Sequence, residues 1–187
     1  VIAVTSTISG EGKTFVAINL AGIISFSGKR VVVLDLDMRK PKIHLGFGVE
    51  NVRGMSTLLI DRDTVEGCIQ HSSLAGLDFI TAGPIPPNPS ELIIGDNMTR
   101  ILGILKHTYD VVVIDTPPML YISDAREMGR LTDGAILVIR ASKTTRDAAR
   151  AAKQRLVADG IPVLGTILNE WDFRAKSRYG YYTNYTY

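Results

Sequence analysis

The string Ser9-Gly10-Glu11-Gly12-Lys13-Thr14 joins glycines to a lysine and a hydroxyl, a combination suited to holding phosphate oxygens. Glycines let successive backbone N–H groups turn toward an anion, and a helix opening at Lys13 adds partial positive charge. Lys13 can then reach the outer phosphates while the Thr14 hydroxyl ligates magnesium. Asp35 and Asp37, in Leu34-Asp35-Leu36-Asp37-Met38-Arg39, and Asp115, in Ile114-Asp115-Thr116-Pro117-Pro118, lie at the ends of apolar runs. Magnesium takes oxygen ligands, so carboxylates fixed at strand ends beside the glycine loop are expected to organise it: Asp35 and Asp115. Asp37 either accepts a proton from an attacking hydroxyl or serves as a turn and capping residue. Arg39 either meets phosphate charge or is an ordinary solvated side chain.

These side chains need a frame. Val1 to Thr5 reads as a short buried strand, Ser6 to Gly12 as a small-residue loop, and Lys13 to Ser27 as a helix with Val16, Leu20, Ile23 and Ile24 on one face. Within Arg30 to Leu36, Val31, Val32, Val33 and Leu34 form a continuous apolar run, the pattern of a parallel strand covered on both faces. Similar runs fall at Leu77–Thr81, Val111–Ile114, Ala135–Ile139 and Val163–Leu168, with helical patterns in most of the gaps. Such alternation predicts an α/β fold with a mostly parallel sheet flanked by helices. Four prolines stiffen Ala82 to Glu91, after which Ser90 is placed to cap a helix over Leu92–His107. The stretch His44 to Ser73, with Gly46, Gly48 and Gly54, is expected to hold short helices at most.

With 187 residues, 45% of them hydrophobic, the chain suits one domain with a sizeable core. A net charge of +2 is too small to imply nucleic acid, although Arg174, Lys176 and Arg178 cluster near the C-terminus. The single cysteine, Cys68, rules out an internal disulfide and reads as a small buried hydrophobe. His44, His71 and His107 show no metal-ligand spacing. No apolar run approaches the roughly 20 residues that cross a bilayer. The sequence opens at Val1 already inside an apolar run, as a larger polypeptide cut just before its first strand would, which leaves room for a membrane portion upstream. Residues 179–187 read as a separate mobile tail to a 1–178 domain, holding Tyr179, Tyr181, Tyr182, Tyr185 and Tyr187, five of the seven tyrosines. Either the tail packs as an aromatic surface or its tyrosines are acceptors for phosphate.

With these residues in hand, the chain resembles the cytoplasmic kinase domain of the bacterial tyrosine kinases of capsule and exopolysaccharide export, the Wzc-like family. The resemblance rests on Thr5-Ser6 leading into Gly10-Glu11-Gly12-Lys13-Thr14 (Walker A), Leu34 to Pro41 (Walker A′), Ile114 to Pro118 (Walker B), Pro86 to Leu92 and the terminal tyrosines. It implies a P-loop NTPase fold of the deviant-Walker, MinD-like subgroup, with ATP and Mg2+ as cofactors. It further implies that Ser9, Gly10, Glu11, Gly12, Lys13, Thr14 and Phe15 cradle the nucleotide, that Thr14, Asp35 and Asp115 hold the metal, and that Asn169 contacts adenine. Lys13, Asp35, Asp37 and Asp115 would be the catalytic set and Asp37 would assist the tyrosine hydroxyl. The partners implied are further copies of the chain in a ring, a membrane co-polymerase or activator segment and a tyrosine phosphatase, at the cytoplasmic face of the bacterial inner membrane.

Two departures stand out: Ser9 occupies a place where the family often has proline, and no acidic-and-arginine helix precedes the first strand. Thr7 also stands where the general phosphate-loop pattern has glycine. The alternatives are a partitioning or site-selection ATPase of the MinD type, whose second loop lysine is replaced here by Ile8, and a nucleotide-gated scaffold with little turnover.

Overall fold

The computed structural model describes residues 1–119 and 131–172. Seven strands form one sheet: β1 (Ile2–Ser6), β2 (Val31–Asp35), β3 (Gln70–His71), β4 (Leu77–Ile80), β5 (Val111–Asp115), β6 (Gly134–Arg140) and β7 (Val163–Asn169). Their order is β3-β4-β2-β5-β1-β6-β7, parallel except for the short β3 at one edge. Among the described residues the named helices are α1 (Lys13–Ser25), α2 (Ile43–Phe47), α3 (Met55–Leu58), α4 (Val65–Cys68), α5 (Pro89–Ile94), α6 (Asp96–Thr108) and α7 (Arg146–Ala158).

β2 shows why its sequence is apolar without alternation. Val32 and Leu34 enter one core with Ile80, Met98, Ile101, Leu105 and Ile114, on the side of α6. Val31 and Val33 enter another with Val16, Ala17, Phe79 and Val113, on the side of α1. Successive strand residues point to opposite faces, so a strand covered on both must be apolar throughout. A smaller cluster of Ala3, Ala135, Leu156 and Ile161 lies under α7.

The chain leaves β1 for β2 across the place that β5 later fills, and then returns past β1 to β6 and β7. Ligand crevices of open α/β sheets form beyond the carboxyl ends of strands where the order reverses in this way. β5 aligns Asp115 with Val4 of β1 and with Asp35 of β2. Strand spacing of about 4.8 Å therefore brings the two carboxylates side by side.

Three expectations need correction. Ile23 is 68% exposed and not part of the buried face of α1, which consists of Val16, Ala17 and Ala21 with Leu20 and Ile24 against the core. At about 100° per residue, Ile23 falls at the edge of that arc, clear of the sheet. The helix expected over Leu92–His107 is two helices, because Gly95 adopts an extended backbone (φ −65°, ψ 159°) between them. Ser90 accordingly lies inside α5, whose cap position is Asn88 with Pro89 at the first turn, and its hydroxyl accepts from Arg39 Nη2 at 3.5 Å. The uncertain middle stretch holds α2, α3, α4 and the unforeseen β3.

Two contacts set the loops beside the site. Gly54 bridges to Ala82 so closely that a Cβ there would stand 2.0 Å from the Thr81 carbonyl oxygen. Asn51 donates to and accepts from the backbone of Gly83 (both 2.8 Å), anchoring the proline-rich segment. On the other face, Phe47 of α2 stacks on Phe79 with ring centroids 3.9 Å apart and planes within 2°. Removal of the Phe79 ring opens a cavity under α2, so Phe79→Ala is expected to cost about 3–5 kcal/mol in urea unfolding; a loss below about 1 kcal/mol would contradict the packing described.

Candidate functional site: a lysine among three carboxylates

Helix α1 starts directly from the glycine loop. Gly12, its cap residue, has φ 87°, a left-handed conformation, and a Cβ there would come within 2.0 Å of Asn169 Nδ2, so glycine is required on both counts. The first helical N–H groups have no partners within a helix, and here they open toward the strand ends. Lys13 and Thr14 are buried, whereas Phe15 is exposed. Asn169, at the end of β7, donates from Nδ2 to the Glu11 carbonyl at 3.0 Å, so the residue expected to meet adenine closes on the loop itself.

The Lys13 ammonium donates to Asp37 Oδ2 at 2.8 Å and lies 3.5 Å from Asp115 Oδ1. Thr14 Oγ1 donates to Asp115 Oδ2 at 2.5 Å. Asp115 has no exposed surface, and its Oδ1 accepts no hydrogen bond. Asp35, equally buried, is tied into the backbone that follows it: Oδ1 accepts from Asp37 N at 3.2 Å, and Oδ2 from Lys42 N and Ile43 N at 3.1 and 3.0 Å. Asp37 Oδ1 accepts from Lys40 N at 3.1 Å, the contact a turn residue makes, while its other oxygen meets Lys13.

Burial pushes the Asp35 carboxyl up to about 7, reinforced by the Asp115 charge and opposed by the amides of Ile43 and Lys42. Burial likewise pushes Asp115 up to about 6, against the pull of Lys13 and Thr14. For Lys13 burial works against the ammonium, but Asp115, Asp37 and Asp35 outweigh it and hold the pKa above its ordinary value. Three carboxylates thus face one ammonium in a site nearly closed to water. A fully buried carboxylate oxygen that is ion-paired with Lys13 at 3.5 Å but accepts no hydrogen bond, beside a threonine hydroxyl, is what a hard divalent cation fits.

Ser9, Asp37, Arg39, Lys40, Pro117 and Pro118 line a cavity of about 230 Å³ that opens beside the glycine loop. Arg39 and Lys40 are exposed at its rim. The tail tyrosines Tyr179, Tyr181, Tyr182, Tyr185 and Tyr187 and the basic residues before them lie outside the described residues, as does the boundary drawn at residue 178. Cys68 is buried and unpaired, and among the described residues no three His, Cys, Asp or Glu side chains converge as a metal-binding group, so a cation here would need oxygens from Thr14, water or a bound phosphate beside a carboxylate. Sequence reasoning missed the Glu11 carboxylate, which is fully buried; its signal was Thr7 standing where glycine was expected, four residues before it.

A carboxyl whose folded pKa lies above its unfolded value of 3.8 binds its proton more tightly in the native state, so its contribution to stability declines as pH rises through that window. The nucleotide-free protein is expected to lose stability between pH about 4 and about 7 from Asp35 and Asp115, and Asp35→Asn to flatten the upper part of that slope. Denaturation of both proteins across this range checks it; identical slopes would show that Asp35 does not carry the shift.

The AAA domain family matches residues 1–145, a span that contains the glycine loop and all three aspartates. Tyrosine-protein kinase YwqD of Bacillus subtilis is 39% identical over 181 residues, covering 97% of this chain and 76% of that protein. Tyrosine-protein kinase etk of Escherichia coli K12 is also 39% identical over 97% of this chain, but the chain spans only 25% of its length. The solved kinase domain of Escherichia coli ETK superposes with a TM-score of 0.89 at 38% identity, covering 97% of this chain and 71% of that one. The septum site-determining protein MinD of Pyrococcus horikoshii, solved with Mg-ADP, superposes with a TM-score of 0.73 at 25% identity, over 89% and 68%. The shared fold is therefore that of P-loop nucleotide-binding proteins, and the identities over nearly the whole chain place it more narrowly: it belongs to the bacterial tyrosine-protein kinases of the Wzc and Etk type.

Proposed function

We propose that this kinase transfers the γ-phosphoryl group of ATP to its own C-terminal tyrosines, Tyr179, Tyr181, Tyr182, Tyr185 and Tyr187, with the tail of one subunit entering the site of the next. The observation that carries the reading is the buried cluster in which Lys13 and Thr14 of the glycine loop meet Asp37 and Asp115. The backbone of residues 9–15 receives the phosphates, and Lys13 exchanges Asp37 for a phosphate oxygen. Asn169 shifts from the Glu11 carbonyl to the adenine edge. Thr14 and Asp115 hold Mg2+, with Asp35 fixing the loop that carries Asp37 and offering its remaining lone pairs. Bound there, the ion supplies neutralisation of the phosphate charge that builds up during transfer.

The tyrosine ring enters the cavity between Pro117–Pro118 and Arg39–Lys40, and Asp37, freed from Lys13, accepts the hydroxyl proton. The phenolic oxygen bonds to the γ-phosphorus as the bond to the bridging oxygen breaks, and ADP departs. Positioning and charge do most of this work. Each phosphotyrosine adds about −1.5 to −2 charges, so a phosphorylated tail is repelled by the acidic cluster and leaves it, opening the ring. A tyrosine phosphatase resets the cycle.

The family resemblance implies a role in capsule and exopolysaccharide export, and the relatives include the putative tyrosine-protein kinase CapB of Staphylococcus aureus. A membrane co-polymerase or activator segment would then be the partner and the cytoplasmic face of the inner membrane the place of action. Among the described residues no helix is long and apolar enough to cross a membrane.

Mass spectrometry of the tail after incubation with Mg-ATP at several protein concentrations tests the proposal. Phosphate on residues 179–187 that rises with concentration, and is lost in a folded Lys13→Met variant, is the expected result, since removing a phosphate-binding cation costs about 10²-fold or more in rate. An unmodified tail with phosphate released to water would instead identify a MinD-like ATPase, and neither product a nucleotide-gated scaffold.

A further inference from the structure

The phosphate loop lacks glycine at position 7, and the Glu11 carboxylate fills the structural gap. Each of its oxygens accepts two donors. Oε2 takes Thr7 N at 2.6 Å and Ile8 N at 3.1 Å, and Oε1 takes Thr7 Oγ1 at 2.6 Å and the Thr144 hydroxyl. The group has no exposed surface. Thr7 and Ile8 lead into the loop, whereas Thr144 belongs to the connection between β6 and α7 and itself accepts from Arg140 N at 2.8 Å. From the end of β6 Arg140 Nη1 donates to the Gly10 carbonyl at 3.3 Å, and from β7 Asn169 meets the Glu11 carbonyl. Residue 11 is therefore the point at which the phosphate loop is fastened to the far half of the sheet.

We infer that Glu11 is a positioning residue that sets the shape of the phosphate cradle and locks it to the Arg140–Thr145 turn, allowing the loop to form without glycine at position 7. The inference rests on the nucleotide-binding reading of the loop. Its physical basis is that a carboxylate is acceptor-only, with room for all four donors, whereas a carboxamide turns two hydrogens toward two of them. Thr7 keeps an ordinary negative φ, so the turn requires no left-handed residue, only an acceptor for its amide and hydroxyl. The carboxylate acts on the nucleotide through the loop and makes no contact with it.

Calorimetric titration with Mg-ADP, alongside thermal unfolding, of the wild type, Glu11→Gln, Thr144→Val and the double variant tests this. Glu11→Gln is expected to weaken Mg-ADP binding about tenfold or more and to raise KM for ATP more than it lowers kcat, as loss of charge-assisted bonds to the loop requires. Thr144→Val is expected to weaken binding severalfold, and the double variant to bind no worse than Glu11→Gln alone, because Thr144 acts through the carboxylate. Lower melting temperatures with unchanged affinity, or strictly additive losses, would overturn the inference. Should Glu11→Gln fail to fold, unaltered Mg-ADP affinity in Thr144→Val overturns it alone. A wild type that does not bind Mg-ADP would overturn the nucleotide reading itself.

Discussion

The site depends on one electrostatic arrangement: a single ammonium, Lys13, shared between Asp37 and Asp115 where the carboxyl ends of β2 and β5 meet the start of α1. Three buried carboxylates in so small a volume would be costly to ionise without compensation. Compensation comes from Lys13, from the Thr14 hydroxyl and from the backbone amides that converge on Asp35. Charge is still not balanced within the protein, and burial, with neighbouring carboxylate charge added to it, holds Asp35 and Asp115 above the usual carboxylate range. A site left acidic in its depth, with the start of a helix beside it, suits a divalent cation carrying a polyphosphate.

The sheet holds this arrangement together. Register places Asp115 opposite both Val4 and Asp35, so a slip of one residue in β5 would turn its carboxylate to the opposite face. Two buried cores, one on each side of β2, fix that register far more firmly than the charges could by themselves. The apolar work of folding and the polar work of the site are thus divided along the strands: valines and leucines specify where the strand lies, and the aspartate at its end is carried into place.

How much of this was legible follows from the kind of partner each residue has. The β-branched runs at Val31–Leu34 and Val111–Ile114 announced buried parallel strands, and the glycine-lysine-threonine string announced the loop between β1 and α1. Lys13, Thr14, Asp37 and Asp115 were named in advance and the fold brings them within bonding distance. Asp35 was read as a metal residue, while its observed partners are backbone amides of Lys42 and Ile43, which carry no sequence signature. Thr144 was missed for a related reason: it reaches Glu11 across 133 positions, a pairing that only the order of β1, β6 and β7 creates. Gly95 was passed over because glycine within a helical pattern is tolerated as often as it breaks one. The tyrosine tail and its role lie outside the described residues.

The most direct test of the central claim is a crystal structure of the complex with Mg-ADP. The expected result is that the Lys13 ammonium leaves Asp37 for the β-phosphate, that the Thr14 hydroxyl turns from Asp115 Oδ2 to the cation, and that Asp115 Oδ1 gains a partner directly or through bound water. Nucleotide seated elsewhere, or a Lys13–Asp37 pair and a Thr14–Asp115 bond both preserved with nucleotide in place, would contradict it.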